Sequence, residues 1–153
     1  PRLTGATEAS AVLAELAPQS FLVTPSYPGE TSALLDCDSP QAAAQKLRGL
    51  GVENVAVTCG ADGIQLDGPA GSSWIDSIPA PSVVDQTGAG DAFVGTLAAR
   101  MMLGDSLSVA ARYGAAAASL VVGGKGGTGF IPTFDQTQAH ARTAPRGELS
   151  SHA

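Results

Sequence analysis

The stretch that decides the fold is Asp85-Gln86-Thr87-Gly88-Ala89-Gly90-Asp91. An apolar pair, Val83-Val84, precedes it, and residues 92–103 follow it with apolar side chains at helical spacing. A glycine-rich turn therefore opens directly into a helix, with Asp91 in the first turn. Glycines let a backbone approach a ligand closely, and the free amides of a helix start favour an anion. The turn is predicted to hold a phosphate that is being transferred, with Asp91 beside it as a base.

A simpler interpretation of this turn is structural. A glycine pair before a helix is often only a tight connection, and aspartate is a favoured residue at a helix start. Gly88-Ala89-Gly90 alone favours that interpretation. The complete string, with two aspartates around a threonine and two glycines and an apolar helix directly after it, favours a functional one.

The composition indicates one globular domain with neither a nucleic-acid nor a membrane partner. The chain has 153 residues, of which 44% are hydrophobic and 14% charged. Its net charge is −6, and its 8 lysines and arginines are scattered, so no basic patch exists for nucleic acid. The longest apolar run, 115–122, is too short to cross a bilayer, and no signal peptide is apparent. Cys37 and Cys59 have no metal-like spacing and are predicted to be small buried hydrophobes. We expect a cytoplasmic protein.

The hydrophobic pattern predicts alternating helices and strands. Helices are expected over 7–17, 41–50, 92–103 and 107–122, strands over 21–24 and 55–58, and an exposed hairpin over 64–75. This order predicts an α/β fold: a three-layer, Rossmann-like α-β-α arrangement with a mainly parallel sheet and helices on both faces. Thr24-Pro25, Thr58-Gly60 and Asp85-Asp91 each fall just past a predicted strand. They are expected to converge at the sheet edge where open sheets bind ligands.

The string D-Q-T-G-A-G-D resembles the D-T-x-G-A-G-D signature of the ribokinase-like (pfkB) carbohydrate kinases. This resemblance implies the ribokinase-like fold and phosphoryl transfer from ATP to the hydroxyl of a sugar or sugar acid. Asp91 is then the general base, and the backbone amides of Gly88, Ala89 and Gly90 form the anion hole, with Thr87 as an ATP contact. Asp85 is implied near Mg²⁺ and a candidate monovalent cation, K⁺. A cap at the end of a strand is the alternative for Asp85.

Two further stretches resemble ATP contacts of the same family. The turn at residues 58–63 resembles the family's T-x-G-x-x-G loop, which implies that Thr58, Gly60, Asp62 and Gly63 contact ATP, although such turns end many strands. The alanine-rich helix and the glycine loop after it resemble the family's adenine-side wall. The implied adenine-side residues are Ala115, Ala118 and Gly126. Close helix packing by alanine is the alternative.

The segment 25–30, Pro-Ser-Tyr-Pro-Gly-Glu, occupies the place of the family's P-N-x-x-E motif, whose glutamate helps to hold magnesium through water. Ser26 replaces the asparagine, a change also found in some sugar-acid kinases of the family. Glu30 stands one position too late. Either the loop carries a one-residue insertion, or the carboxylate is displaced and magnesium binding is weakened. A structural alternative for Glu30 is an acid in the first turn of a helix, where the helix dipole favours it.

The resemblance covers the C-terminal half of the family's fold. Residues 1–141 are expected to form that part of a kinase domain, and 142–153 a disordered tail. The start, Pro1-Arg2-Leu3, resembles the end of a D-x-N-x-R-P-x-L segment. That segment occurs in 2-keto-3-deoxygluconate kinase-like and fructokinase-like members of the family, so the resemblance slightly favours these members. Three explanations are compatible with a chain that resembles only this half: a fragment of a full-length kinase, a truncated gene product, and a half that depends on a partner. A truncated sheet exposes an edge, so a homodimer is a candidate. The alternative function is a catalytically incomplete nucleotide-binding fragment without the substrate half.

Overall fold

The computed structural model describes residues 6–143. The chain divides into two compact units between Trp74 and Ile75. The expectations for Pro1-Arg2-Leu3 and for 144–153 lie outside the described residues. Arg142 and Thr143, which were assigned to the tail, belong to the last helix, which runs over Phe134–Thr143. Within the described part, no helix is both long enough and apolar enough to cross a membrane.

The first unit is built on a four-stranded sheet in the order β1-β2-β3-β4, whose last strand ends just past the division at Trp74. The strands are β1 (Leu22–Val23), β2 (Asn54–Thr58), β3 (Gly63–Gly68) and β4 (Gly71–Asp76), and the helices are α1 (Ala6–Leu16), α2 (Gly29–Leu35) and α3 (Pro40–Gly49). Ser39 caps the start of α3, because its side chain accepts a hydrogen bond from the amide of Ala42 at 3.1 Å. The core lies between the sheet and its helices and includes the fully buried Leu47, Val55 and Val57.

The sheet is mixed, whereas the sequence predicted a mainly parallel one. β1 pairs with β2 in parallel, but β2 pairs with β3 in antiparallel fashion. Only a short turn containing a 3-10 helix separates β2 from β3, and a connection this short cannot make a parallel crossover. The prediction of an exposed hairpin is wrong for β3, which is buried almost throughout. It is correct for β4, in which exposed residues alternate with half-buried ones.

Two of the three predicted strand ends can be compared within the first unit, and they lie side by side. The amide of Thr58 donates to the carbonyl of Pro25 at 2.9 Å, and the amide of Tyr27 donates to the carbonyl of Thr58 at 2.9 Å. The loop after β1 therefore runs along the end of β2. This part of the predicted convergence is confirmed.

The second unit consists of the helices α4 (Ala89–Met102), α5 (Leu107–Val121) and α6 (Phe134–Thr143). The segment before the turn at Asp85 was expected to be a strand, but it has no regular secondary structure. Val83 and Val84 are 63% and 62% exposed. The amides of Val84 and Asp85 both donate to the carbonyl of Val122, at 2.7 and 3.1 Å, so the end of α5 takes the place of a neighbouring strand.

The closest helix contact of this unit joins α4 and α5. A Cβ added at Gly114 would lie 2.8 Å from Cδ2 of Phe93 and 2.9 Å from its carbonyl oxygen. Gly114→Ala is therefore expected to destabilise the chain by about 1–2 kcal/mol, since overpacking outweighs the gain in helix propensity. Chemical denaturation of the chain measures this change.

Gly95→Ala is the matched control, because the added Cβ would meet no heavy atom within 4 Å. This variant should keep or raise the free energy of unfolding, by up to about 1 kcal/mol. Equal unfolding free energies for the two variants would contradict the proposed close packing.

Candidate active site

The turn at the start of α4 is left without a side-chain cap. The N-cap residue is Gly88, with φ 86° and ψ −4°, and it has no side chain to accept a hydrogen bond. The α3 and α5 helices differ, because Ser39 and Ser106 cap them with their hydroxyl oxygens. Asp91 lies in the first turn of α4 and not at its N-cap. The aspartate-cap interpretation of this turn is therefore not what the structure shows.

The first-turn amides of α4 are the donors of this turn. A helix gives its first amides no acceptor of its own, so those of Gly90 and Asp91 are available to a ligand. The amide of Ala89 donates to the carbonyl of Gln86 at 3.3 Å, a long hydrogen bond that partly occupies it. Of the predicted anion-hole residues, Gly90 is thus the better placed donor, and Asp91 adds an amide that the sequence analysis did not include.

A second glycine segment packs directly against this turn. A Cβ added at Gly88 would lie 2.8 Å from Cα of Gly127, and one added at Gly127 would lie 3.1 Å from the carbonyl oxygen of Thr87. Both glycines have positive φ, 86° and 71°. The two backbones therefore touch at a point where neither can carry a side chain without displacing the other.

Asp85 fastens the two segments together. Its Oδ1 accepts hydrogen bonds from the Thr87 amide at 2.9 Å and the Thr87 hydroxyl at 2.7 Å, and its Oδ2 accepts one from the Gly126 amide at 2.9 Å. The hydroxyl of Thr87 above all, with the amides of Thr87 and Gly126, lowers the pKa of the Asp85 carboxyl below its ordinary value. Asp85 therefore combines a local turn contact with a long-range one. It links residues that are 41 positions apart.

Asp85→Asn should lower the melting temperature at neutral pH, because asparagine keeps one acceptor oxygen and cannot serve both segments. Because the pKa of Asp85 is lower in the folded state than in the unfolded state, its ionised carboxylate stabilises the fold at pH values above the unfolded pKa of about 3.9. This stabilisation is lost as the pH falls through the folded-state pKa. The difference between wild type and variant should therefore shrink below about pH 3.9.

Thr87→Val gives the matched test of this linkage. It removes the hydrogen bond that lowers the pKa most, so the acid loss of stability should begin at a higher pH than in the wild type. Thermal melts of the three proteins between pH 2 and pH 7 measure both effects. A constant difference across that range would contradict the role of Asp85.

A cavity of about 460 Å³ opens beside the turn, entirely within the second unit. Thr87, Gly88, Asp91 and Gly126 of the predicted site line it. Two more lining residues, Ala117 and Gly127, belong to the predicted adenine-side stretch but were not singled out. The other lining residues were not predicted: Ala92, Gly95, Thr96, Val121, Thr128, Phe130, Ile131, Pro132 and Thr137. Residues 88, 92 and 96 are four positions apart, as are 117 and 121, so each set lies on one side of its helix.

The alanine helix lines the cavity with residues other than the predicted Ala115 and Ala118. Ala117 and Val121 line the cavity, whereas the buried Ala115 and its neighbour Ala118 are not among the lining residues. Ala115 shares its turn of α5 with Gly114, which packs against Phe93 of α4. Alanine packing, the alternative interpretation, therefore applies to the Gly114 side of this helix.

The two predicted site segments of the first unit form tight local structures. Glu30 is exposed, and its Oε2 accepts hydrogen bonds from the amide of Ser26 at 2.9 Å and from its hydroxyl at 3.3 Å. The turn after Thr58 contains a 3-10 helix over Gly60–Asp62 and is closed by the amide of Cys59, which donates to the carbonyl of Gly63 at 2.9 Å. Burial, with Asp62 nearby, raises the pKa of the Cys59 thiol.

Metal ligands are sparse in the described part. Residues 6–143 contain no group of three or more His, Cys, Asp and Glu side chains that could hold a metal ion.

The sequence of the chain is similar to those of known carbohydrate kinases. The model of the pfkB family of carbohydrate kinases matches residues 3–133. The 2-dehydro-3-deoxygluconokinase of Thermoproteus tenax is 35% identical over 106 residues, which are 69% of this chain and 32% of that protein. The ribokinase of Arabidopsis thaliana is 43% identical over 94 residues, 59% of this chain and 24% of that protein. The chain thus spans a third or less of the length of these relatives.

Solved structures show the same fold. The structure of Arabidopsis thaliana ribokinase complexed with ribose and ATP aligns with a TM-score of 0.76 and 31% identity, over 86% of this chain and 44% of that one. An E. coli protein assigned as ribokinase II, in complex with ATP and Mg²⁺, aligns with a TM-score of 0.76 and 25% identity over 88% and 43% of the two chains. The fold is α/β and ribokinase-like, and the chain belongs to the pfkB family of carbohydrate kinases.

Proposed function

We propose that this chain provides the ATP side of a sugar or sugar-acid kinase. The observation that carries the proposal is the uncapped start of α4, where Gly88 leaves first-turn amides free beside a cavity that also contains Asp91. An uncapped helix start binds phosphate through its amides and its dipole. The two ribokinase structures that contain ATP support ATP as the ligand.

In the proposed mechanism, Asp91 is the general base. Its carboxylate takes the proton of the sugar hydroxyl as that oxygen attacks the γ-phosphorus of ATP, while the bond between phosphorus and the β-phosphate oxygen breaks. The amides of the turn at Gly88, Ala89 and Gly90 stabilise the negative charge on the transferred phosphoryl group. Asp91 thus supplies the proton acceptor, and the turn supplies the anion hole.

The other predicted ATP contacts are proposed as well. In the second unit these are Thr87, Gly126, Ala115 and Ala118. Ala117 and Val121 are added to them, because they line the cavity. In the first unit, the family resemblance supports Thr58, Gly60, Asp62 and Gly63 as ATP contacts.

Magnesium and a monovalent cation are proposed with the nucleotide. Mg²⁺ neutralises phosphate charge when bound, and Glu30 would hold it through water, using the oxygen that does not accept from Ser26. Asp85 is the proposed residue near Mg²⁺ and K⁺, since its carboxylate lies where two loops meet. A sugar acid is the favoured acceptor because Ser26 replaces asparagine and because the Thermoproteus tenax relative is a 2-dehydro-3-deoxygluconokinase.

Location and assembly are also proposals. Cys37 and Cys59 are free thiols, which suits the reducing cytoplasm. Exposed apolar side chains such as Met102, at 88%, and Leu103, at 76%, support a homodimer as the proposed assembly.

A second candidate function is a nucleotide-binding module that does not turn over. One observation favours it: the carboxylate of Glu30 accepts a hydrogen bond from the amide of Ser26 in its own loop, so one of its oxygens is already occupied. Calorimetry of the chain with ATP and Mg²⁺, followed by an assay of ADP release against a panel of sugars and sugar acids, separates the two functions. Turnover supports the kinase, tight ATP binding without turnover supports the module, and no ATP binding contradicts both.

A further inference from the structure

The cavity beside α4 carries negative charge and no positive side chain. Asp91 is the only charged residue among those that line it, and the carboxylate of Asp85 lies in the adjoining turn. A nucleoside triphosphate brings further negative charge to the same place. Backbone amides stabilise phosphates but carry only partial charges. A cationic side chain close to the turn would therefore add a full positive charge where the amides supply only partial ones.

The described residues of the second unit hold four arginine and lysine side chains: Arg100, Arg112, Lys125 and Arg142. Arg100 already has partners within the unit: it forms an ion pair with Asp105, and its guanidinium lies 4.0 Å from the centre of the Tyr113 ring. Arg112 is directed to α6, where its Nε donates to the carbonyl of Ala141 at 2.9 Å. Arg142 lies in the last turn of α6.

Lys125 is the cation that lies next to the cavity. It directly precedes Gly126, Gly127 and Thr128, which line the cavity, and its side chain is exposed. Within residues 6–143, no carboxylate forms an ion pair with it. Its ammonium group is thus available to a ligand.

The backbone fixes Lys125 close to the anion-binding turn. The amide of Gly129 donates to the carbonyl of Lys125 at 3.1 Å, which closes a tight turn over 125–129. Gly127, two residues after Lys125, touches Gly88. Two residues span at most about 7 Å, and a lysine side chain has a flexible four-carbon stem. The ammonium group can therefore reach a phosphate at the start of α4.

We propose that Lys125 pairs with the phosphates of the nucleotide bound at the start of α4 and so serves as the side-chain cation of this site. The proposal rests on the proposed ATP site. Because the lysine contacts phosphate and not the base or ribose, it contributes to the binding of ATP and ADP and leaves the binding of adenosine unchanged. Arginine at this position keeps the charge and most of the effect.

The test compares the variants Lys125→Met and Lys125→Arg with Arg142→Met, which removes a charge from an exposed position in the same unit. Calorimetry with ATP, ADP and adenosine is performed on the full chain. Loss of one charge-assisted contact is expected to raise the Kd for ATP about tenfold in Lys125→Met. Lys125→Arg should stay within about threefold of wild type, and Arg142→Met within about twofold. Thermal melts confirm that the variants are folded.

The outcomes distinguish this inference from the function on which it rests. If the wild type binds ATP and Lys125→Met binds it equally well, the role of Lys125 is overturned and the ATP site stands. An equal loss in Arg142→Met, or an equal loss of adenosine binding, also overturns the role of Lys125. If the wild type binds no ATP, the ATP site and the lysine contact both fall.

Discussion

Asp91→Asn is expected to lower kcat for phosphoryl transfer about 10³-fold and to leave ATP binding equal or tighter. A positioned general base contributes about 10² to 10⁴ in rate, and asparagine cannot accept the proton. The same change removes a negative charge from a cavity that is proposed to hold phosphates, so repulsion of ATP decreases. The opposite directions of the two effects identify a base. A residue that only supports the structure would weaken both binding and turnover.

Asp135→Asn is the matched control for this change. Asp135 is also an acid in the first turn of a helix, α6, but it does not line the cavity. Turnover is measured as ADP release in the 153-residue chain and in any longer natural form of it, and ATP binding is measured by calorimetry. Turnover of Asp91→Asn within tenfold of wild type, in a preparation whose wild type is active, would remove Asp91 from the mechanism.

Gly88→Ala is expected to destabilise the chain by about 2 kcal/mol and to weaken ATP binding at least tenfold. The left-handed conformation of Gly88 costs an alanine about 1–2 kcal/mol. In addition, the new Cβ would lie 2.8 Å from Cα of Gly127, a backbone atom that cannot rotate away. The segment at 126–128 must therefore move, and the cavity wall moves with it.

Two control variants separate these causes. Gly104→Ala has the same conformational cost, with φ +97°, but its Cβ would meet no atom within 4 Å, so it should lose stability without losing ATP affinity. Gly90→Ala in the same turn has neither the positive φ nor a close neighbour and should keep most of its stability. Denaturant titrations and calorimetry measure all three. If Gly88→Ala matches Gly104→Ala in both assays, the contact between the two glycine segments carries no binding function.

Local signals in this sequence were reliable guides to structure. The starts of α3 and α5 could be predicted to within one or two residues, because the serines that cap them, Ser39 and Ser106, act on an amide only three residues away. The glycine turn before α4 is equally local. The exposure of β3 could not be read in the same way, because burial of β3 depends on its pairing with β2 and on α3, which packs on it.

The site shows the same division. Asp91 and Gly88 were predicted from one short string, and the structure places both on the cavity. The link from Asp85 to Gly126 was not predicted, since it joins positions 41 residues apart. The face of α5 that lines the cavity could not be predicted, because alanines occupy four successive positions of this helix, 115–118, and the sequence therefore does not fix its rotation.

The most direct test of the central claim is the amide NMR spectrum of the ¹⁵N-labelled chain during titration with ATP and Mg²⁺. If phosphate binds at the uncapped start of α4, the amides of Gly90 and Asp91 should shift most, together with those of the segment around Gly127. The amides of Ala42 and Val109, which serine caps already occupy, should stay in place. Saturable shifts centred on the start of α4 are the predicted result. Shifts centred elsewhere, with Gly90 and Asp91 unchanged, would contradict the account.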